Sequence, residues 1–260
     1  MPASVAWISV APVKGMRLQS RDEVELTLDG VPGDRAFFLV DERGHMVSIT
    51  RLGPLAAVVP EHDPDAGKLS LRFPAGEEVS AHVELGEPEE VGFYHLTLRA
   101  RPVNGPFAAA LSSHCRKRLR LFAAPPARSG LDRGRVGAAT LLSLASLERL
   151  REQAGDTRPV DPRRFRMTFG IEGVSAHEED SWIGREVQVG DALLRVLGNV
   201  GRCAATTRQP DTGVVDFRTL HHLRHYRGEV DTTEPLPFGV HASVLQAGHV
   251  RLGDRVYLRA

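Results

Sequence analysis

The residue best suited to redox or metal chemistry in this sequence is Cys203, in the run Gly201-Arg202-Cys203-Ala204-Ala205-Thr206-Thr207. It follows directly on the apolar stretch Leu193 to Leu197, which places it just past a strand end, where loops present functional groups. A thiol beside a cation such as Arg202 is expected to ionise more readily, and a thiolate attacks electrophiles or binds a soft metal. Cysteine is also among the most buried residue types, so a small buried hydrophobe is the competing reading. Cys115, on the apolar side of an Ala-rich helix, reads as core.

Other runs carry weaker signals. Asp161-Pro162-Arg163-Arg164-Phe165-Arg166-Met167-Thr168 sets three arginines ahead of a strand, and the planar guanidinium fork suits phosphate and other oxyanions. Surface solvation is the alternative in a chain where only Lys14, Lys68 and Lys117 of the 33 basic residues are lysines. Asp34-Arg35 stands at the mouth of an apolar run ending at Val40, and Pro12-Val13-Lys14-Gly15 closes the first strand; either pair can be purely structural. His221, His222 and His225 allow an i, i+4 metal pair on a helix but lack clustered further ligands, so zinc is not expected. His177-Glu178-Glu179-Asp180-Ser181-Trp182 could bind a cation or supply a base, though a capping turn accounts for it equally. No serine-hydrolase elbow, phosphate-cradling glycine loop or dinucleotide fingerprint is present.

The elements that must position these residues read as mostly strand. From Val5 to about Arg101 short apolar alternations repeat: Val5 to Val10, Val24 to Leu28, Ala36 to Val40, Met46 to Ile49, Leu55 to Val59, Leu69 to Phe73, Val79 to Leu85 and Tyr94 to Ala100. Turns such as Asp29-Gly30, Pro32-Gly33 and Arg43-Gly44 separate them, as in a small barrel or sandwich. A helix capped by Asn104 should begin at Gly105-Pro106, and Arg118 to Ala123 returns to strand. Residues 125–137, rich in Pro, Gly and Arg, read as a linker. Ser143 and Ser146 announce a second helix that stops at Gly155. Strands then follow at Arg166 to Ile171, Glu186 to Val189, Ala192 to Leu197, Val240 to Leu245 and Asp254 to Leu258, with a helix from Phe217 to Tyr226. The expectation is an α+β chain, mostly β with a few helices, divided as 1–124 and 125–260.

Composition narrows the setting. The 33 basic and 33 acidic residues cancel and are interspersed, which argues against a nucleic-acid or acidic-membrane partner. Two cysteines cannot build a disulfide framework, so a reduced, cytoplasmic protein is expected. No leader and no apolar run of the roughly 20 residues that cross a bilayer is evident.

Taken together, these runs resemble the MOSC family, the molybdenum-cofactor sulfurase C-terminal domain proteins, with an N-terminal MOSC β-barrel domain. The residues that carry the resemblance are Pro12-Val13-Lys14-Gly15, Asp34-Arg35 with Phe38-Leu39-Val40, Arg164-Phe165-Arg166, Glu179-Asp180-Ser181-Trp182, Arg202-Cys203 with Thr206-Thr207, Pro210-Asp211-Thr212-Gly213, and Phe238-Gly239 followed by Val250 to Tyr257. They span nearly the whole chain in family order. The resemblance implies an N-terminal barrel at 1–124 packed on a MOSC domain at 125–260. It implies a molybdenum cofactor, the molybdenum-bearing molybdopterin, with Cys203 as both metal ligand and catalytic residue. It also implies cofactor contacts from Lys14, Gly15, Arg35, Arg166, Thr168, Gly201 and Arg202.

Within the family, the pattern is most similar to the amidoxime-reducing components and their bacterial counterparts. That similarity implies an oxidoreductase acting on small N-hydroxylated or N-oxide compounds. With only Cys115 besides Cys203, electrons would come from a separate flavin or iron–sulfur protein. Gly15, Thr168 and Gly201 stand where the family often has serine, asparagine and serine. Each change alters a hydrogen bond worth about 1 kcal/mol. A cofactor-binding or persulfide sulfur-carrier protein without turnover is the alternative from another class. A MOSC fold that has lost the cofactor is a third. Bound molybdenum separates them, since a persulfide carrier would show labile sulfur without the metal. Neither the substrate nor the oligomeric state is encoded in any readable motif.

Overall fold

The computed structural model describes residues 2–125, 133–232 and 234–259. Part of the expected linker, residues 126–132, lies outside the described residues.

In the first half, the run Phe37-Phe38-Leu39-Val40-Asp41 is buried along its whole length because both faces of its strand are covered. Successive side chains of a strand point to opposite faces. Phe37 and Leu39 therefore enter one core with Val13, Leu55, Phe107 and Leu121, while Phe38 and Val40 enter another with Val91, Phe93 and Phe122. The sheet runs in the order Glu89–Phe93, Leu96–Asn104, Leu119–Ala123, Phe37–Asp41, Met46–Val47. The helix Phe107–Cys115 lies against it and buries Cys115 as expected. A separate three-stranded sheet, Val59–Asp63, Lys68–Arg72 and Glu78–His82, adds Leu69 and Leu71 to the same core as Phe37.

The second sheet has eight strands: Val256–Leu258, Glu186–Val189, Ala192–Gly201, Pro237–Gln246, Ala139–Ser143, Phe169–Glu172, Ser4–Val10 and Gln19–Arg21. Its ladder is open among the described residues, although one antiparallel bridge, Ser4 to Arg255, reaches back toward the far edge. Ala139–Ser143 and Phe169–Glu172 run parallel. A parallel pair needs a crossover, and the helix Leu144–Ala154 supplies it. Ser4–Val10 comes from the start of the chain but pairs with Phe169–Glu172, and Val5, Ile8, Val24 and Leu26 fill this second core.

Three local expectations are corrected. Leu55 to Val59 is a strand only at its last residue, where Val59–Asp63 begins: Gly53–Ala57 forms a short 3-10 turn, because Pro54 fixes φ and has no N–H for a ladder. Asn104 does not cap the helix, since its backbone pairs with Glu84 in a strand and Pro106 takes the cap position. Arg166 does not begin a strand. It sits at φ 55° where the Pro162–Phe165 turn ends, and the strand starts at Phe169. By contrast, the second helix is capped by Ser143 and stopped by a left-handed Gly155, as the sequence implied. Glycines of the expected turns, Gly30, Gly33 and Gly44, all adopt positive φ. No described helix is long and apolar enough to cross a membrane.

Candidate functional site

One cavity of about 380 Å³ is lined by every residue the sequence singled out for a cofactor: Lys14, Gly15, Arg35, Arg166, Thr168, Gly201, Arg202 and Cys203. They arrive from distant parts of the chain by simple strand-end geometry. After the strand Ser4–Val10, the chain runs beside the entry to Phe37–Asp41, with hydrogen bonds from Lys14 N to Phe37 O at 2.8 Å and from Arg35 N to Ala11 O at 2.6 Å. That pairing sets Lys14 and Arg35 side by side on one wall. The Arg35 guanidinium pairs with Asp34 and donates to the Arg166 carbonyl at 2.8 Å. Arg166 in turn reaches back to the Met16 carbonyl at 2.9 Å.

Thr168 is held at the cavity wall by its neighbours. Its N–H donates to Thr140 Oγ1 at 2.8 Å, the two hydroxyls lie 3.1 Å apart, and its carbonyl accepts from Ser9 N. Gly15 sits at φ 87°, and a Cβ there would come within 3.2 Å of Ile49 N. A side chain at this point would be strained and would press on the Ile49 backbone. Lys14 is buried, with its Nζ 5.4 Å from the Tyr94 ring centroid and 5.8 Å from that of Phe93, within the range of cation–π attraction.

Gly201 ends the long strand Ala192–Gly201, and Cys203 follows it into the cavity. Cys203 is exposed, so the competing reading of a buried hydrophobe is not what the fold adopts. Arg202 is the buried member of the pair. Its guanidinium donates to the Phe165 carbonyl at 3.0 Å, to the Phe238 carbonyl at 2.9 Å and to Met167 Sδ at 2.9 Å. Burial pushes its pKa down to about 9, still well above neutrality, so it stays charged. The side chain therefore ties the cysteine loop to the segment that carries Arg166. Behind Gly201, Glu234 accepts the Gly201 N–H at 2.8 Å and pairs with both terminal nitrogens of Arg133. A Cβ on Gly201 would sit 2.8 Å from Glu234 Cβ, so glycine is needed for this contact. Burial works against the Glu234 carboxylate's charge, but the Arg133 and Gly201 hydrogen bonds outweigh it and leave its pKa lowered.

Among the described residues, the lining includes five cations, Lys14, Arg35, Arg133, Arg166 and Arg202, and one acid, Asp34. Low-dielectric walls concentrate this imbalance, so the cavity favours an anion. Ser48, Thr50, Tyr94 and Arg133 also line it and were not anticipated. Arg133 was one arginine among many, and Ser48 and Thr50 sit in a loop with no motif of their own.

The remaining candidates lie elsewhere. Glu179 is buried and accepts from Ser143 N and Ser146 Oγ, while Asp180 accepts from Asn199 and Arg227 at 2.6 Å each. These acids brace the helix Leu144–Ala154 and the helix Thr219–Arg227. Among the described residues, no group of three or more His, Cys, Asp or Glu side chains is placed to hold a metal ion.

Two family models match the chain, the MOSC domain over residues 132–257 and the MOSC N-terminal beta barrel domain over residues 2–113. Mitochondrial amidoxime reducing component 2 of Bos taurus is 26% identical over 98% of this chain and 82% of its own length. Mitochondrial amidoxime-reducing component 1 of Mus musculus is 38% identical over 45% of this chain and 35% of its own. Among solved structures, the YUAD protein from Bacillus subtilis aligns with a TM-score of 0.47 and 12% identity over 98% of this chain and 94% of its own.

Proposed function

Because this chain belongs to the MOSC-domain proteins, with the family's N-terminal barrel domain ahead of the MOSC domain, we propose that its cavity binds a molybdenum cofactor. The protein would use it to reduce small N-hydroxylated or N-oxide compounds, with electrons from a separate flavin or iron–sulfur protein. The observation that carries this reading is the meeting of an exposed thiol with a cationic wall in one cavity. The names of its relatives supply the reaction class.

The residues present fit such a group. Molybdenum held in a pterin needs a soft donor, and Cys203 supplies sulfur at the cavity. The pterin phosphate needs cations and hydrogen-bond donors, and Lys14, Arg35 and Arg166 line the same cavity. When bound, the cofactor would supply two-electron oxygen-atom redox chemistry at the metal. The chain's own residues then have distinct tasks. Cys203 holds the metal, and Lys14, Arg35 and Arg166 orient the anionic end. Arg202 keeps the Gly201–Cys203 loop against the segment that carries Arg166, and Glu234 ties the same loop to Arg133.

The test is elemental analysis of protein expressed with molybdate. About one molybdenum per chain is expected, falling to near zero in Cys203→Ala together with loss of N-oxide reduction. Full molybdenum and full turnover in that variant would sink the reading.

A further inference from the structure

We propose that Thr50 is a positioning residue for the Cys203 sulfur, its hydroxyl donating the hydrogen bond that holds the sulfur toward the cavity. Thr50 Oγ1 lies 3.9 Å from Cys203 Sγ, across 153 positions of sequence. The hydroxyls nearest in sequence bond elsewhere: Thr206 Oγ1 donates to the Cys203 carbonyl at 3.0 Å, and Thr207 Oγ1 to the Ala204 carbonyl at 2.7 Å. Thr50 thus supplies the polar side-chain contact to the sulfur among the described residues.

The contact is built into the fold. Arg208 donates through one terminal nitrogen to the Thr50 carbonyl at 2.9 Å and through the other to the Gly213 carbonyl at 2.7 Å. Its own N–H closes the turn just after Cys203 by bonding the Ala205 carbonyl at 3.2 Å. A few residues beyond Thr50, the chain passes so close to the Gln209–Gly213 turn that a Cβ on Gly213 would lie 1.9 Å from the Gly53 carbonyl oxygen. One guanidinium and one glycine contact therefore lock the Thr50 segment, from the first half of the chain, over the cysteine loop of the second. A hydroxyl held this way fixes the direction in which the sulfur points and so what it can present to a metal.

The inference rests on the reading that Cys203 is the sulfur donor of the site, and its test separates the two. Thr50→Val keeps the shape and removes the donor, whereas Thr50→Ser keeps the donor. In cofactor-free protein from cells grown without molybdate, iodoacetamide labelling of Cys203 at a fixed pH, followed by mass spectrometry, should slow about threefold in Thr50→Val as the sulfur turns away from the cavity mouth. Thr50→Ser should label at close to the wild-type rate. Cys115 does not interfere, because burial pushes its thiol up to about 11. In molybdate-grown protein, Thr50→Val should keep its metal while its sulfur-to-metal absorption band moves to lower energy, and Thr50→Ser should restore the band. Wild-type labelling of Thr50→Val, or Thr50→Ser behaving like Thr50→Val, overturns the proposal. A wild-type protein without molybdenum that still shows the labelling pattern would overturn the cofactor reading and leave the Thr50 contact standing.

Discussion

Arg202 shows how a charge one residue from the cysteine can serve the site without facing it. Its guanidinium is buried against the Phe165 ring, 5.4 Å from the centroid, and is satisfied by the carbonyls of Phe165 and Phe238. Replacing it with methionine leaves those carbonyls without their donor, and an unsatisfied buried carbonyl costs about 1–3 kcal/mol. Relief from burying a charge offsets part of that loss. Arg202→Met should therefore destabilise the protein by about 2–4 kcal/mol in urea unfolding and should also release Cys203 from its place. A second residue-scale effect belongs to His177. Burial, helped by Arg227 and Arg149, holds its pKa down to about 4 against an ordinary 6.5. The unfolded chain therefore takes up a proton near pH 6.5, while the folded protein resists until near pH 4. Stability from this group is complete above pH 6.5, falls as the pH drops from 6.5 to 4, and levels off below. The melting temperature of wild type should fall across that window more steeply than that of His177→Phe.

At the scale of elements, the helix Leu144–Ala154 joins the local code to the site. Ser143 caps it by accepting from Ser146 N at 3.1 Å, and the left-handed Gly155 ends it. The same Ser143 ends the strand Ala139–Ser143, whose Thr140 holds Thr168 at the cavity. Loss of a capping hydroxyl costs about 1 kcal/mol. Ser143→Ala should show that loss in urea unfolding, with no change in molybdenum content. The cap and stop were legible in the sequence because both act within a few residues. Asn104 misled because its cap preference is also local, while pairing with Glu84 claimed its backbone for a strand. The Leu55 to Val59 reading failed because the apolar pattern outweighed Pro54, which blocks a ladder there.

Over the whole molecule, the chain's first strand crosses to the other half. Ile8 is buried in one core with Leu141, Phe169, Leu194 and Val240, all from beyond residue 138. Truncating such a side chain costs about 2–5 kcal/mol. Ile8→Ala should lower the urea midpoint of one cooperative transition shared by both halves. Separate transitions, with only one of them shifted, would contradict this picture. The cavity depends on the same crossing, because the pairing of Ser4–Val10 with Phe169–Glu172 brings Arg35 to the Arg166 carbonyl and Lys14 to the same cavity.

The sequence by itself determined the strand-rich character, the helix Leu144–Ala154 with its boundaries, and the residue types a sulfur-and-anion site requires. Those features rest on periodicity, caps, positive-φ glycines and side-chain chemistry, all of which act over a few residues. Cys203 could still be read from that information as a buried hydrophobe. The tertiary structure decided that it is exposed at a cavity, that Arg202 is buried beside it as a brace, and that Thr50 meets its sulfur. Arg133 and Glu234 joined the site for the same reason. These are contacts between residues tens to hundreds of positions apart, set by strand pairing and burial, and no local pattern in the chain encodes them.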